Sequence, residues 1–212
     1  MLSLLTQGEY GIFILVLLAI ILSLTLHEFG HAIVARALGD DTAERLGRLT
    51  LNPVSHIDPM GLLMVATVGF GYAKPVPFNP NNLRMHWGSA LVAAAGPAMN
   101  LVLAILAVNV LALAGAQGWM LGETQQTALV LMVHINLLLM LFNLLPLGPL
   151  DGHYIASKML PPQMGRRYDA FNAQYGLWLF MGLIVLSILG FPIFDGLLSL
   201  SNAMIPWITW LA

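Results

Sequence analysis

The chain has 212 residues, of which 58% are hydrophobic and only 8% are charged. Charged residues make up about a quarter of a soluble domain, so this composition excludes a soluble globular protein and indicates a membrane protein. The formal net charge of −2 argues against a nucleic-acid partner, and the absence of cysteine excludes disulfides, thiolate metal sites and a cysteine nucleophile.

The first predicted span covers residues 10–37. Residues 11–26 are almost all aliphatic, and with the turns that follow they are long enough to cross about 30 Å of hydrocarbon. A cleaved signal peptide is the alternative for an apolar segment at this place. Residues 1–10 contain no basic residue, and cleavage after Ala37 would discard the motif at the end of the segment, so the sequence favours a retained span.

The first span ends in the motif His27-Glu28-Phe29-Gly30-His31. On a helix, His27 and His31 lie one above the other, so both imidazoles can bind one zinc ion from the same side. Glu28 lies beside them, where a carboxylate can take a proton from a zinc-activated water. Each ionisable side chain at membrane depth costs at least about 2.5 kcal/mol, and a bound cation would compensate for three of them within five residues.

The longest predicted connection follows the first span and covers residues 45–80 at the membrane interface. Residues 49–51 and 62–66 are predicted as short strands, separated by turn sequences. The apolar run 60–70 is too short to span as a helix and is expected to dip into the interface. Its strand edge would hold an extended substrate peptide; the equally weighted alternative is a lid packed over the helices.

The second predicted span, residues 87–114, is rich in small residues. Gly96 and its neighbouring alanines allow a close approach of another helix, and Pro97 is expected to kink the span. Asn100 lies about one turn further on, where its amide can form a hydrogen bond to another helix. Asn136, in the next span, is interpreted in the same way as an interhelical hydrogen-bonding group.

The third predicted span, residues 127–145, ends at a stretch that cannot continue a helix, since residues 146–152 contain two prolines and two glycines. Broken helices at membrane depth are tolerated where they line a cavity, and this break carries Asp151. Two histidines and one carboxylate leave a fourth zinc position open, as in catalytic sites, which makes Asp151 the expected third ligand. A helix-capping role for Asp151 is the alternative.

Two further polar residues near the break are candidates for the same site. Asn143, on the last turn of the third span, can donate a hydrogen bond to a substrate carbonyl or to its oxyanion. His153 follows Asp151 by two residues and is a competing metal ligand.

Residues 176–191 predict a fourth span. Residues 193–212 form either a fifth span or a segment lying in the interface, because Pro206 interrupts them. The sequence therefore predicts one all-α polytopic membrane domain over residues 1–212, with four or five transmembrane helices and a short membrane-associated β-hairpin or loop between the first two.

The basic residues predict how the spans are oriented. The segment from Arg36 to Arg84, which includes the end of the first span, contains five Lys or Arg, the loop 115–126 none, and the loop 152–175 three. Both basic connections are therefore expected on the cytoplasmic side, with the N-terminus outside. The C-terminal ends of the first and third spans then share the cytoplasmic face, where His27, His31 and Asp151 can meet.

These motifs resemble those of the site-2 protease family of intramembrane zinc metalloproteases, and in particular of its short prokaryotic members without a PDZ domain. The first-span motif resembles the family's HExGH sequence, and the break resembles its NxxPxxxLDG sequence. The residues that carry the resemblance are His27 to His31, Asn143 with Pro146 and Leu150-Asp151-Gly152, Gly96-Pro97 with Asn100, and the loop residues 48–53 and 56–61.

The resemblance implies one zinc ion per chain on His27, His31 and Asp151, with Glu28 as general base and Asn143 assisting at the scissile carbonyl. It also implies a multi-pass protein of the cell's inner membrane that cleaves membrane-spanning protein substrates in or near their spans. Two alternatives stay open. One is a membrane zinc carrier or transporter, in which the same side chains mark an ion path, and the other is a scaffold that binds single-span partners without cleaving them.

Overall fold

The computed structural model describes residues 1–68 and 71–211, and this part of the chain is built from helices joined by loops. Gly69 and Phe70 of the predicted interfacial run, and Ala212 of the last predicted segment, lie outside the described residues. The helices are, in chain order, α1 (Leu2–Thr6), α2 (Tyr10–Ala37), α3 (Thr42–Arg45), α4 (Pro59–Val68), α5 (Gly88–Ala116), α6 (Glu123–Asn143), α7 (Gly152–Met159), α8 (Pro162–Ile188) and α9 (Asp195–Ile208).

Four of the described helices, α2, α5, α6 and α8, are long and apolar enough to cross a membrane. The prediction of an all-helical polytopic membrane protein is thereby confirmed. The fourth of these helices begins at Pro162, well before the predicted start at residue 176. The 14 residues of α9 extend over only about 21 Å, which is less than the thickness of the hydrocarbon core.

The predicted β-hairpin between the first two spans is not found in the described residues. Residues 62–66 lie inside α4 rather than in a strand, so that prediction is wrong. The physical reason is the helix start: the Asp58 carboxylate accepts hydrogen bonds from the N–H groups of Met60 and Gly61, both at 2.9 Å. The hydrophobic pattern of a short apolar run does not distinguish a strand from a helix, so the capping residue determines which of the two forms. Residues 49 and 50 form bends, and residues 49–51 are not part of a strand.

The core of the described structure lies where α5 packs against α2 and α6. Small residues allow the close approach that the sequence predicts. A Cβ added to Gly30 of α2 would lie 2.6 Å from Cγ of Met99 and 2.8 Å from the carbonyl oxygen of Ala95, both on α5. The two helices therefore touch along their backbones at the level of the His27–His31 motif.

Asp40, just after α2, fastens the connection that returns to α5. Its side chain is fully buried, and its carboxylate accepts hydrogen bonds from Thr42 Oγ1, from Asn79 N at 2.6 Å and from Asn82 Nδ2 at 2.9 Å. Burial by itself raises the pKa of Asp40, but these hydrogen bonds outweigh burial and hold the pKa below its usual value. The start of α5 is thereby tied to the end of α2.

The variant Asp40→Asn is expected to lower Tm in detergent at pH 7, since hydrogen bonds to a charged group contribute about 1.5–3 kcal/mol. Because the folded-state pKa is depressed, the carboxylate stabilises the fold above the unfolded pKa of about 3.9, and this contribution is lost as the pH falls through the folded value. The difference in Tm between wild type and variant should therefore shrink below about pH 4.

The matched control is Asp41→Asn. Asp41 forms an exposed ion pair with Arg45 at 2.7 Å, and such pairs contribute little. A Tm difference for Asp40→Asn that stays constant from pH 7 to pH 3 would contradict the role of the Asp40 carboxylate.

Candidate metal centre

The α2 helix presents His27, Glu28 and His31 together in the interior. All three are buried, and one ligand atom of each lies within 4.8 Å of those of the other two. The Nε2 atoms of His27 and His31 are 3.0 Å apart, and the two rings meet edge to face with centroids 4.7 Å apart. The four-residue spacing thus places two nitrogen donors at one point.

Asp151 reaches the same point from the break between α6 and α7. Its Oδ2 lies 3.2 Å from Nε2 of His27, and its Oδ1 lies 3.4 Å from Nε2 of His31. Asp151 occupies the N-cap position of α7, but its side chain makes no capping hydrogen bond. The structure therefore brings together His27, His31 and Asp151, which the distribution of Lys and Arg among the loops predicts to meet. The Asp151 carboxylate faces the histidines instead of capping the helix.

The donor geometry fits a zinc ion. Tetrahedral zinc with bonds of about 2.0–2.1 Å separates neighbouring ligand atoms by about 3.3–3.4 Å, close to the 3.0–3.4 Å between the donors of His27, His31 and Asp151. Oδ2 of Asp151 is buried and, among the described residues, has no hydrogen-bond partner, which suits a metal ligand. Two neutral imidazoles and one carboxylate are the donor types of catalytic zinc sites.

Gly96 of α5 forms the wall opposite α2. A Cβ at this position would lie 2.6 Å from Nε2 of His27 and closer still to Nε2 of His31. A side chain there would fill the space in front of both nitrogens. The backbone of α5 thus leaves free the volume that an ion between the two histidines requires.

The second nitrogen of each histidine is held by α5. Nδ1 of His31 donates to the carbonyl oxygen of Val92 at 2.7 Å, and Nδ1 of His27 donates to Oδ1 of Asn100 at 2.6 Å. A carbonyl can only accept, and the Asn100 amide nitrogen is engaged elsewhere, so both rings carry the proton on Nδ1. Each Nε2 therefore offers its lone pair to the centre.

A chain of buried amides extends this support across three helices. Nδ2 of Asn100 donates to Oδ1 of Asn136 at 2.8 Å, and Nδ2 of Asn136 donates to Oγ of Ser23 at 2.9 Å. All three residues are fully buried. The expected interhelical hydrogen bonds of Asn100 and Asn136 are present, but the sequence analysis missed that Asn100 orients His27. The spacing of Gly96 and Asn100 could have predicted this contact, because residues four apart lie on the same face of a helix and both face the His27–His31 motif.

Glu28 has a partner that no sequence pattern indicated. Its Oε2 accepts a hydrogen bond from the backbone N–H of Val76 at 2.8 Å. Val76 is buried against Ala32, Ala43 and Leu49. The connection between α2 and α5 therefore reaches the centre itself.

The structure does not bring the other candidates into the cluster. Nδ2 of Asn143 donates to the carbonyl oxygen of Leu139 on its own helix at 3.0 Å. Nδ1 of His153 lies 2.8 Å from the carbonyl oxygen of Leu150, and its ring lies beside that of Tyr154, tilted by 40° with centroids 3.8 Å apart.

Comparisons with known proteins agree with this chemistry. The sequence model of peptidase family M50 matches residues 15–120 of the chain. "Putative zinc metalloprotease YwhC" of Bacillus subtilis is 41% identical over 174 residues, which cover 79% of this chain and 78% of that protein. "Putative zinc metalloprotease Rip2" of Mycolicibacterium smegmatis is 38% identical over 195 residues, which cover 84% of this chain and 68% of that protein. No solved structure matches the chain.

The variant Gly96→Ala is expected to abolish zinc binding, because its methyl group would occupy the space between the two Nε2 atoms. Zinc per chain in detergent-purified protein, measured by atomic emission, checks this. Gly115→Ala is the matched control, since it lies on the same helix and a Cβ there meets nothing within 4 Å. Full zinc content in Gly96→Ala would show that the ion does not lie between His27 and His31.

The variant Asn100→Leu is expected to weaken zinc binding about 10- to 100-fold, because His27 loses the acceptor that orients it. Competition with a chelator measures the affinity. Asn109→Leu is the control: Asn109 is a buried amide of the same helix that bonds the carbonyl oxygen of Ile208 instead. An equal loss of affinity in both variants would mean that Asn100 acts only through general stability.

Proposed function

The chain belongs to peptidase family M50, and from that membership and the site geometry we propose that it is an intramembrane zinc metalloprotease that hydrolyses peptide bonds in or near the spans of membrane proteins. M50 is the site-2 protease family that the motifs resemble, so that expectation is confirmed. The observation that carries the proposal is the convergence of His27, His31 and Asp151 within 3.0–3.4 Å, with Glu28 beside them.

In the proposed site, Nε2 of His27, Nε2 of His31 and the carboxylate of Asp151 hold one zinc ion. Zinc in that position supplies Lewis acidity to a water molecule and to the peptide carbonyl. Glu28 acts as general base: it accepts the proton of the attacking water and then delivers it to the leaving amine nitrogen. The burial of Glu28 keeps bulk water from competing for that proton.

Asn143 is proposed to donate a hydrogen bond to the carbonyl oxygen of the scissile bond. It is half-buried in the last turn of α6, eight residues before Asp151. In this role its amide leaves the carbonyl oxygen of Leu139, which it bonds in the absence of substrate.

The proposed substrates are themselves membrane-spanning proteins. The metal ligands His27 and His31 lie in α2, which is one of the four helices able to cross a membrane, so a peptide that reaches them must enter from the bilayer or its surface. A helical substrate hides its carbonyl groups in hydrogen bonds and must unwind locally before attack. We therefore expect cleavage near a span end or a helix-breaking residue.

The proposed orientation places the N-terminus outside and the active site towards the cytoplasm. All eight basic residues lie in α2's last turn, in the connection that leads to α5, or in α7 and α8, whereas the loop between α5 and α6 has none. Asp151 and the end of α2 lie on the basic side. The bias of Lys and Arg towards the cytoplasm supports this orientation.

The variant Glu28→Gln is expected to retain about one zinc per chain and to lose proteolysis by a factor of at least about 100, because general-base catalysis contributes about 10²- to 10⁴-fold. His27→Ala and Asp151→Ala should lose zinc as well as activity. Zinc content and new amino termini within the spans of cellular membrane proteins, identified by terminal-amine labelling and mass spectrometry, are compared between wild type and variants.

The same experiment separates the protease from a zinc carrier or transporter, which needs no general base. Identical amino termini in cells that produce wild type and Glu28→Gln would contradict the proteolytic function. Unchanged zinc content in Asp151→Ala would contradict the proposed ligand set.

A further inference from the structure

A strap of extended chain, residues 73–79, lies across the metal centre and is fastened at both ends. At its beginning, Ala73 pairs with Ile57 in an isolated antiparallel bridge, and Lys74 N donates to the carbonyl oxygen of His56 at 2.8 Å. At its end, Asn79 N donates to Oδ2 of Asp40 at 2.6 Å. The strap is therefore held in a defined position over α2 without belonging to a helix or a sheet.

The strap has a single backbone donor at its centre. Pro75 and Pro77 carry no N–H, so Val76 supplies the only amide donor between them. That amide donates to Oε2 of Glu28 at 2.8 Å in the buried interior. The two prolines also restrict the backbone of the strap to extended conformations, which fixes the direction in which the Val76 N–H points.

Arg48 holds the opposite side of the same peptide group. Its guanidinium is buried, with Nη2 donating to the carbonyl oxygen of Lys74 at 2.5 Å and Nη1 to that of Pro75 at 3.3 Å. The carbonyl of Pro75 and the N–H of Val76 belong to one planar peptide unit. A cation at its oxygen polarises that unit and strengthens the N–H as a donor towards Glu28. The planar guanidinium also binds two successive carbonyls in one fixed geometry, whereas the ammonium group of a lysine on its flexible stem would hold them less rigidly.

We propose that Arg48 and the Val76 amide are positioning residues of the proteolytic reaction, which hold Oε2 of Glu28 so that Oε1 is free and correctly directed for proton transfer. The inference rests on the proposed function, because it concerns the general base of that reaction. Neither residue touches the reacting atoms. Both act through Glu28, and the metal ligands are independent of them.

The first test compares Val76→Pro with Val76→Ala. Both variants lose the valine side chain, but only Val76→Pro lacks the N–H. Residue 76 already precedes a proline, which favours an extended backbone there. In Val76→Pro the ring Cδ takes the place of the amide hydrogen that lies against Oε2 of Glu28, so this variant displaces the carboxylate as well as removing its donor. On a synthetic single-span peptide that wild type cleaves, kcat of Val76→Pro should be about 10- to 100-fold below that of Val76→Ala, with KM within about twofold and equal zinc content.

The second test compares Arg48→Lys with Arg48→Met and serves also if Val76→Pro does not fold. Lysine keeps the charge but lacks the planar fork of donors, so Arg48→Lys should restore part of the kcat that Arg48→Met loses. Zinc per chain should remain at the wild-type level in both variants, because Arg48 contacts none of the three ligands. Equal kcat in both variants would assign Arg48 a structural role only.

A measurement without substrate separates this inference from the proposed function. Acetohydroxamate binds zinc and passes a proton to a neighbouring carboxylate, so its affinity for the zinc-loaded protein, measured by calorimetry, should be weaker in Val76→Pro than in Val76→Ala. Equal affinities and equal kcat in the two variants would overturn the inference. A higher kcat in Val76→Pro would also overturn it, because the strap would then act as an obstacle. If wild type holds zinc but cleaves nothing, the proposed function fails, and the acetohydroxamate affinities of Val76→Pro and Val76→Ala still decide whether the Val76 amide positions Glu28.

Discussion

The structure depends on one constraint, the convergence of the buried His27, Glu28 and His31 with the partly buried Asp151 at a single point of an apolar helical protein. Ionisable groups in such surroundings are costly unless they find partners. The two imidazoles and the Asp151 carboxylate face each other at 3.0–3.4 Å, and Glu28 is bonded by a backbone amide. The neighbouring helices are shaped by the need to supply these partners.

The α5 helix supplies most of these partners. Gly96 leaves room in front of the histidine nitrogens, and Val92 and Asn100 accept hydrogen bonds from the opposite side of the two rings. Asn100 in turn donates a hydrogen bond to Asn136 of α6. Leaving one end of a buried side-chain amide without a hydrogen-bond partner would cost about as much free energy as losing a hydrogen bond. These bonds therefore hold the three helices in one register. The same contacts that assemble the spans therefore prepare the metal ligands.

Sequence reasoning succeeded where a residue's chemistry admits few environments, and it failed where the outcome depends on local competition. The long apolar runs and the His27–His31 spacing have one physical solution each, a spanning helix and a shared face. The apolar run 62–66 is compatible with either a strand or a helix, and the hydrogen bonds of the Asp58 cap favour the helix over the predicted strand. Asn143 and His153 also have several available partners, and in the structure both lie against backbone carbonyls.

The sequence by itself determined the class of protein and four of its spans, and it pointed to His27, His31 and Asp151 as the proposed donors, because hydropathy, helical period and loop charge are properties of neighbouring residues. Only the tertiary structure decided what stands around those donors. Val76 and Arg48 reach Glu28 through a connection of irregular backbone, and Asn100 reaches His27 from another helix. Such contacts join residues between 20 and 75 positions apart, and no periodicity links them, so they exist only once the helices have packed.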